Sequence, residues 1–143
     1  MRRVREKLFW GWVVWLVLPL LGACSMPQAS SEQALAVVKK FQTALTAQDY
    51  GAAMNFYDEA FFQTRSREVW QTQLRQVRDK LGELKASELS EQQINTVYSG
   101  RQFLFVFVNR YSNGYITETM VLLQPVDSPD IKIVMHKLDS TAL

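Results

Sequence analysis

The stretch 101-RQFLFVFVNRYSNGYITETMVLLQ-124 decides the fold. Two runs rich in Phe, Val, Leu and Thr flank Asn113-Gly114, the pair favoured in type I′ hairpin turns. The reading is a strand over Arg101–Tyr111, a tight turn, and a return strand over about Tyr115–Gln124. With Asn113-Gly114 as a two-residue loop, Ser112 faces Tyr115. Phe105 then faces Leu122, Phe107 faces Met120 and Asn109 faces Glu118, all on one side. Leu104, Val106 and Val108 share the other side with Leu123, Val121 and Thr119. Both faces are apolar around the middle, so this pair is expected in the centre of its sheet.

Working outward, Pro125 to Asp130 reads as a turn and Ile131–Leu138 as the last strand. On the other side, Ser99-Gly100 turns, and alternation over Lys85–Tyr98 predicts the first strand, with Gln92 as its weak point. Before Leu84 the period changes from two to 3.6. A helix is expected over about Glu32–Ala47, capped by Ser30 or Ser31, with Ser30 and Gln33 as a capping box. Its apolar stripe is Ala34, Val37, Val38, Phe41, Ala44 and Leu45. Asp49-Tyr50-Gly51 ends it. A short second helix is expected over about Gly51–Ala60, with Phe61 and Phe62 behind it as a hydrophobic plug. The third runs from about Arg67 to Leu81, capped by Ser66, striped by Trp70, Leu74, Val77 and Leu81, and stopped by Gly82. The fold class is therefore α+β: three N-terminal helices packed on a curved, mainly antiparallel four-stranded sheet. Three helices cannot cover both sides of such a sheet. Curvature closes the second side, or another chain does, through Val106, Val108 and Val121 in a homodimer.

Residues 1–23 have a different character. A basic start, Met1 to Lys7, precedes an uncharged apolar run from Leu8 to Leu21, and small residues surround Gly22, Ala23 and Cys24. Fourteen residues at ~1.5 Å rise cover ~21 Å, short of a ~30 Å hydrocarbon core, so an export signal fits better than a permanent span. This leader holds a net charge of +3, which leaves −1 for residues 24–143 of a chain whose total is +2. Nucleic-acid binding has no electrostatic support in the remainder. Leu21-Gly22-Ala23-Cys24 resembles the bacterial lipobox. That resemblance implies diacylglyceryl transfer to the Cys24 thiol, cleavage between Ala23 and Cys24, and a membrane as partner through the acyl chains. Two rival readings stay open: an uncut anchor helix with a buried thiol, and a soluble exported form, since Ala23-Cys24-Ser25 also suits the ordinary signal peptidase. Cys24 is the only cysteine, so it has no disulfide partner within the chain. Ser25, where an aspartate would favour retention in the inner membrane, makes the outer membrane facing the periplasm the expected location. The division is then signal peptide 1–23, a flexible lipidated tether 24–31 and a single domain 32–143.

The order of elements, from the opening helix with Phe41 and Leu45 through Asp49-Tyr50-Gly51-Ala52-Ala53 and Trp70–Gly82 to the Phe103–Val108 and Tyr115–Leu123 hairpin, is similar to the nuclear transport factor 2-like fold. The resemblance implies a bent sheet wrapped round the first helix as a cone. The open end of that cone holds a small apolar ligand in some members and catalytic groups in others. The residues themselves offer little chemistry. His136, the one histidine, has no carboxylate at strand spacing and reads as an edge or surface residue. Asn109 and Glu118 are expected near the hairpin tip, beyond the helices, where water reaches them; Glu118 is the one candidate base for a rival isomerase, dehydratase or hydrolase. No glycine-rich phosphate loop, nucleophile elbow or metal-ligand spacing occurs, so no catalytic residue, cofactor or metal is assigned. Phe41, Phe56, Tyr57, Phe61, Phe62, Trp70 and Phe107 read as core. The expectation is a membrane-tethered envelope domain with a non-enzymatic binding or accessory role, toward a small apolar ligand or an envelope protein.

Overall fold

The computed structural model describes residues 27–139. The expected signal peptide, the expected cleavage position at Ala23-Cys24 and the first residues of the expected tether lie outside the described residues. The chain runs α1 (Ser31–Thr46), α2 (Tyr50–Met54), a 3-10 turn (Glu59–Gln63), α3 (Arg67–Leu81), β1 (Leu84–Val97), β2 (Gly100–Tyr111), β3 (Gly114–Pro125) and β4 (Lys132–Asp139). The four strands form one antiparallel meander in the order β1-β2-β3-β4. It is the α+β arrangement of three α-helices and a four-stranded sheet that the periodicity predicts. Among the described residues, no helix is long and apolar enough to cross a membrane.

The caps explain the helix limits. The Ser30 hydroxyl accepts from Gln33 N–H, and the Gln33 amide answers by accepting from Ser30 N–H. Ser66 caps α3 through Val69 N–H. At the end of α1, Gln48 N–H bonds to Leu45 C=O and Asp49 N–H to Ala44 C=O, with Gln48 at φ +59°. This is a left-handed helix stop in which a glutamine occupies the position that favours glycine. Ala34, Val38 and Phe41 of α1 and Trp70 and Leu74 of α3 pack against Phe103, Phe105, Phe107, Met120, Leu122 and Ile133 of the sheet in one core. A smaller cluster of Val77, Leu81 and Ile116 closes the far end.

Three departures from the sequence reading have physical causes. The second helix does not reach Ala60; it stops at Met54. Residues 56–58 turn instead to the edge of β4, where Ile133 N–H donates to Phe56 C=O and Asp58 N–H donates to Ile133 C=O, both at 2.9 Å. Pairing with a strand edge satisfies backbone groups that helix propensity alone would have kept in α2.

The central hairpin is slipped by two residues. Tyr111 faces Gly114, Phe107 faces Glu118 and Phe105 faces Met120, so Ser112 and Asn113 form the loop. Because the slip is even, every side chain keeps its face. No residue of the loop has positive φ, so the turn is not type I′. The turn is docked: Ser112 N–H donates to Glu83 C=O and Asn113 N–H to Leu81 C=O, each at 2.9 Å. Those carbonyls at the end of α3 need donors, and the loop supplies them. Gly114 packs close to α3: a Cβ there would stand 3.1 Å from the Leu81 side chain, a tight contact that Leu81 would have to yield to.

The third departure is at the N-terminal end. Residues 27–30, expected as the far part of a flexible tether, are held on the sheet. Ala29 is buried and its N–H donates to Gln124 Oε1 at 2.7 Å. Gln124 Nε2 donates to Pro27 C=O at 3.4 Å, and Arg101 Nη1 to Gln28 Oε1 at 3.2 Å.

Candidate functional site

Along the concave side of the sheet, β2 presents Phe103, Phe105, Phe107 and then Asn109, while β3 presents Ile116, Glu118, Met120 and Leu122, all buried. The apolar row therefore ends in two polar side chains under the helices. Asn109 is 2% exposed and Glu118 4%, which corrects the expectation that both lie in water near the hairpin tip. They are diagonal rather than opposite, Asn109 facing Ile116 and Glu118 facing Phe107. Diagonal neighbours on one face are within reach of long side chains, and Asn109 Nδ2 donates to Glu118 Oε2 at 2.5 Å.

His136 is the larger correction. It is not an edge or surface histidine: it is 3% exposed, and its Nε2 lies 2.7 Å from Glu118 Oε1. Strict alternation from the buried Ile133 would point Met135 inward and His136 outward. A bulge resets it: Leu122 faces Ile133 and Val121 faces Met135, leaving Val134 as the extra residue. One inserted residue moves everything after it to the opposite face. His136 is then enclosed by rings, with centroids 5.2 Å from Trp70, 5.7 Å from Phe41 and 5.9 Å from Tyr57. Its other nitrogen, Nδ1, is 2.6 Å from the Tyr57 hydroxyl. The break in α2 described above is what delivers Tyr57 here.

The result is a buried chain, Tyr57–His136–Glu118–Asn109, of which the sequence reading paired only Asn109 with Glu118. Burial pushes the Tyr57 phenol well above its ordinary value, and the Glu118 charge adds to the effect; the nearby Trp70 indole and Arg65 pull partly back. Trp70 Nε1 makes no hydrogen bond of acceptable geometry with the phenol. The Tyr57 hydroxyl and His136 Nδ1 share one hydrogen bond, whose direction follows the imidazole tautomer. His136 Nε2 and Glu118 Oε1 stand together as a buried imidazole–carboxylate pair without a well-formed hydrogen bond. Burial, then the charge of Glu118 and the neighbouring Tyr50, also lifts the Tyr111 phenol far above its usual range.

Glu118 and Asn109 form part of the wall of a cavity of about 40 Å³, lined also by Tyr50, Leu74, Arg78 and Tyr111. A cavity that size holds one to a few waters, against the ~300–1,000 Å³ usual for a metabolite pocket. The aromatics expected as core do lie in the core: Phe41, Tyr57, Phe61, Trp70 and Phe107 are buried, with Phe56 and Phe62 partly so. Asn109 Oδ1 is a buried acceptor without a hydrogen-bond partner among the described residues. Among the described residues, no three of His, Cys, Asp or Glu are grouped to hold a metal ion.

The described residues thus form an α+β domain with helices on one side of an antiparallel meander and a buried carboxylate–imidazole–phenol chain between them. No family model matches the chain, and no curated relative matches it in sequence. Among solved structures it is similar to Bd1075 of Bdellovibrio bacteriovorus, at 21% identity and a TM-score of 0.52 over 79% of this chain. The match covers 44% of that protein, so this chain spans less than half its length. A likeness at this identity concerns the fold alone.

Proposed function

We propose that the chain is an exported lipoprotein, acylated on Cys24 and held at the periplasmic face of the outer membrane. Its nuclear transport factor 2-like domain acts there as a non-enzymatic binding or assembly module. The anchor rests on Leu21-Gly22-Ala23-Cys24 following a basic and then apolar leader. The observation that carries the non-enzymatic role is the closure of the polar chain. Both Glu118 oxygens are engaged, by Asn109 and His136, beside a cavity of only about 40 Å³. A general base needs a free oxygen within reach of a substrate proton, and a substrate needs room.

The same chain also motivates a second reading, an isomerase, dehydratase or hydrolase with Glu118 as base, because a buried carboxylate against an imidazole is a recurrent catalytic pairing. A homodimer through the open side of the sheet is a third, since Val108 is 37% and Met135 38% exposed. The deciding experiment is mass spectrometry of the membrane-extracted protein with whatever accompanies it. Acyl mass on Cys24 and enrichment of one envelope protein support the proposal. A Cys24→Ser variant that still matures and fractionates with membranes overturns the anchor. A turnover that Glu118→Gln abolishes in a folded protein moves the role to catalysis, and a dimer on size exclusion moves it to the sheet.

A further inference from the structure

The ends of the sheet are unequal. At the end where the described chain begins, the β1–β2 turn exposes Tyr98 completely, and the β3–β4 turn leaves Val126 69% exposed. Val126 N–H donates to Ser99 C=O at 3.2 Å, which ties the two turns together. Pro27, Val97, Pro125 and Val126 surround one hollow of about 470 Å³. Pro27 is fixed there by Gln124, and its neighbours Gln28 and Ala29 by Arg101 and Gln124.

Pro27 lies three residues after Cys24, so at most roughly 11 Å of extended chain separates a lipidated cysteine from this end. β2, with 12 residues, extends roughly 40 Å away from it. We infer that this end of the domain, with Tyr98 and Val126 as its contacts, seats on the surface of the bilayer that holds the acyl chains. The inference rests on the lipoprotein reading and adds an orientation to it. A tyrosine suits the interfacial zone, with an apolar ring and a polar tip. Two such side chains alone would bind a membrane very weakly. A short tether raises their effective concentration at the surface to the millimolar range, which makes the weak contact populated. Arg101 and Asp127, the ionised side chains of the hollow, balance each other. The seat therefore fits a zwitterionic surface as well as an anionic one, with little dependence on salt.

The test uses the full-length gene product extracted from membranes and reconstituted in phosphatidylcholine vesicles carrying a headgroup quencher. A fluorophore is placed through Ser99→Cys at this end or through Asn113→Cys in the β2–β3 loop. Severalfold stronger quenching at 99 than at 113 is expected, changing little between 50 and 500 mM salt. A Tyr98→Ser, Val126→Ser double variant should lose at least half of the quenching at 99. Equal quenching at the two positions in acylated protein, or an unchanged signal in the double variant, overturns the seat and leaves the anchor standing. Absence of acyl mass on Cys24 in the same sample overturns both.

Discussion

β1 and β4 are the two edges of one sheet, and they have opposite surroundings. β1 is 14 residues long, and all but its end residues are exposed, including Leu89 and Ile94 on the concave side. β4 is 8 residues long and buries Ile133 and His136 under Phe41, Tyr57 and Trp70. The edge of β4 is partly covered by residues 56–58; that of β1 is interrupted by bulges at Lys85 and Ser90, devices that discourage pairing with another chain. β1 is mostly polar, with Ser, Glu, Gln and Asn, whereas β4 carries Ile133, Val134, Met135 and Leu138. The helices reach the β4 edge, and the chemistry has collected there.

The sharpest way to break that contrast is to cut the polar chain. Glu118→Ala should cost about 1–3 kcal/mol, because it leaves the buried His136 and Asn109 without their partner. Urea denaturation checks it, and a loss below about 1 kcal/mol would mean that the chain contributes nothing the core does not. Tyr57→Phe should cost about 1–2 kcal/mol at pH 8 by leaving Nδ1 of His136 unsatisfied. The same variant reads the phenol. In the fold it keeps its proton, while in the unfolded chain it ionises from about pH 10 upward. Its contribution is therefore fully present below pH 10 and declines as pH rises, by up to about 1.4 kcal/mol per unit. Wild type should lose stability more steeply than Tyr57→Phe between pH 10 and 11; parallel slopes would remove Tyr57 from the chain. A smaller gain is expected at the end of α1, where Gln48→Gly relieves a left-handed residue and should stabilise by roughly 0.5–1 kcal/mol in thermal unfolding. At the other edge, Leu89→Thr and Ile94→Thr should each stay within about 0.5 kcal/mol. A large loss there would show that β1 is covered in solution.

The legible parts of this fold were those written locally. Ser30 with Gln33, Ser66 and Gly82 marked helix ends, and the stripe of Trp70, Leu74, Val77 and Leu81 gave the buried face of α3. Asn109 and Glu118 were legible as partners. Their burial was not, because it depends on where α1 and α3 lie across the sheet. The hairpin slipped because the carbonyls of Leu81 and Glu83 recruited its loop, a tertiary demand invisible in Asn113-Gly114. His136 was hidden by a single extra residue at Val134. A bulge leaves no mark in a two-residue alternation except the failure of that alternation itself, here Ile133 and His136 both inside.

Trp70 has a practical consequence. It is the sole tryptophan outside the leader, and its ring stands edge-on to His136 at 5.2 Å. Its emission therefore reports the packing around His136 with no label, in protein that lacks residues 1–23.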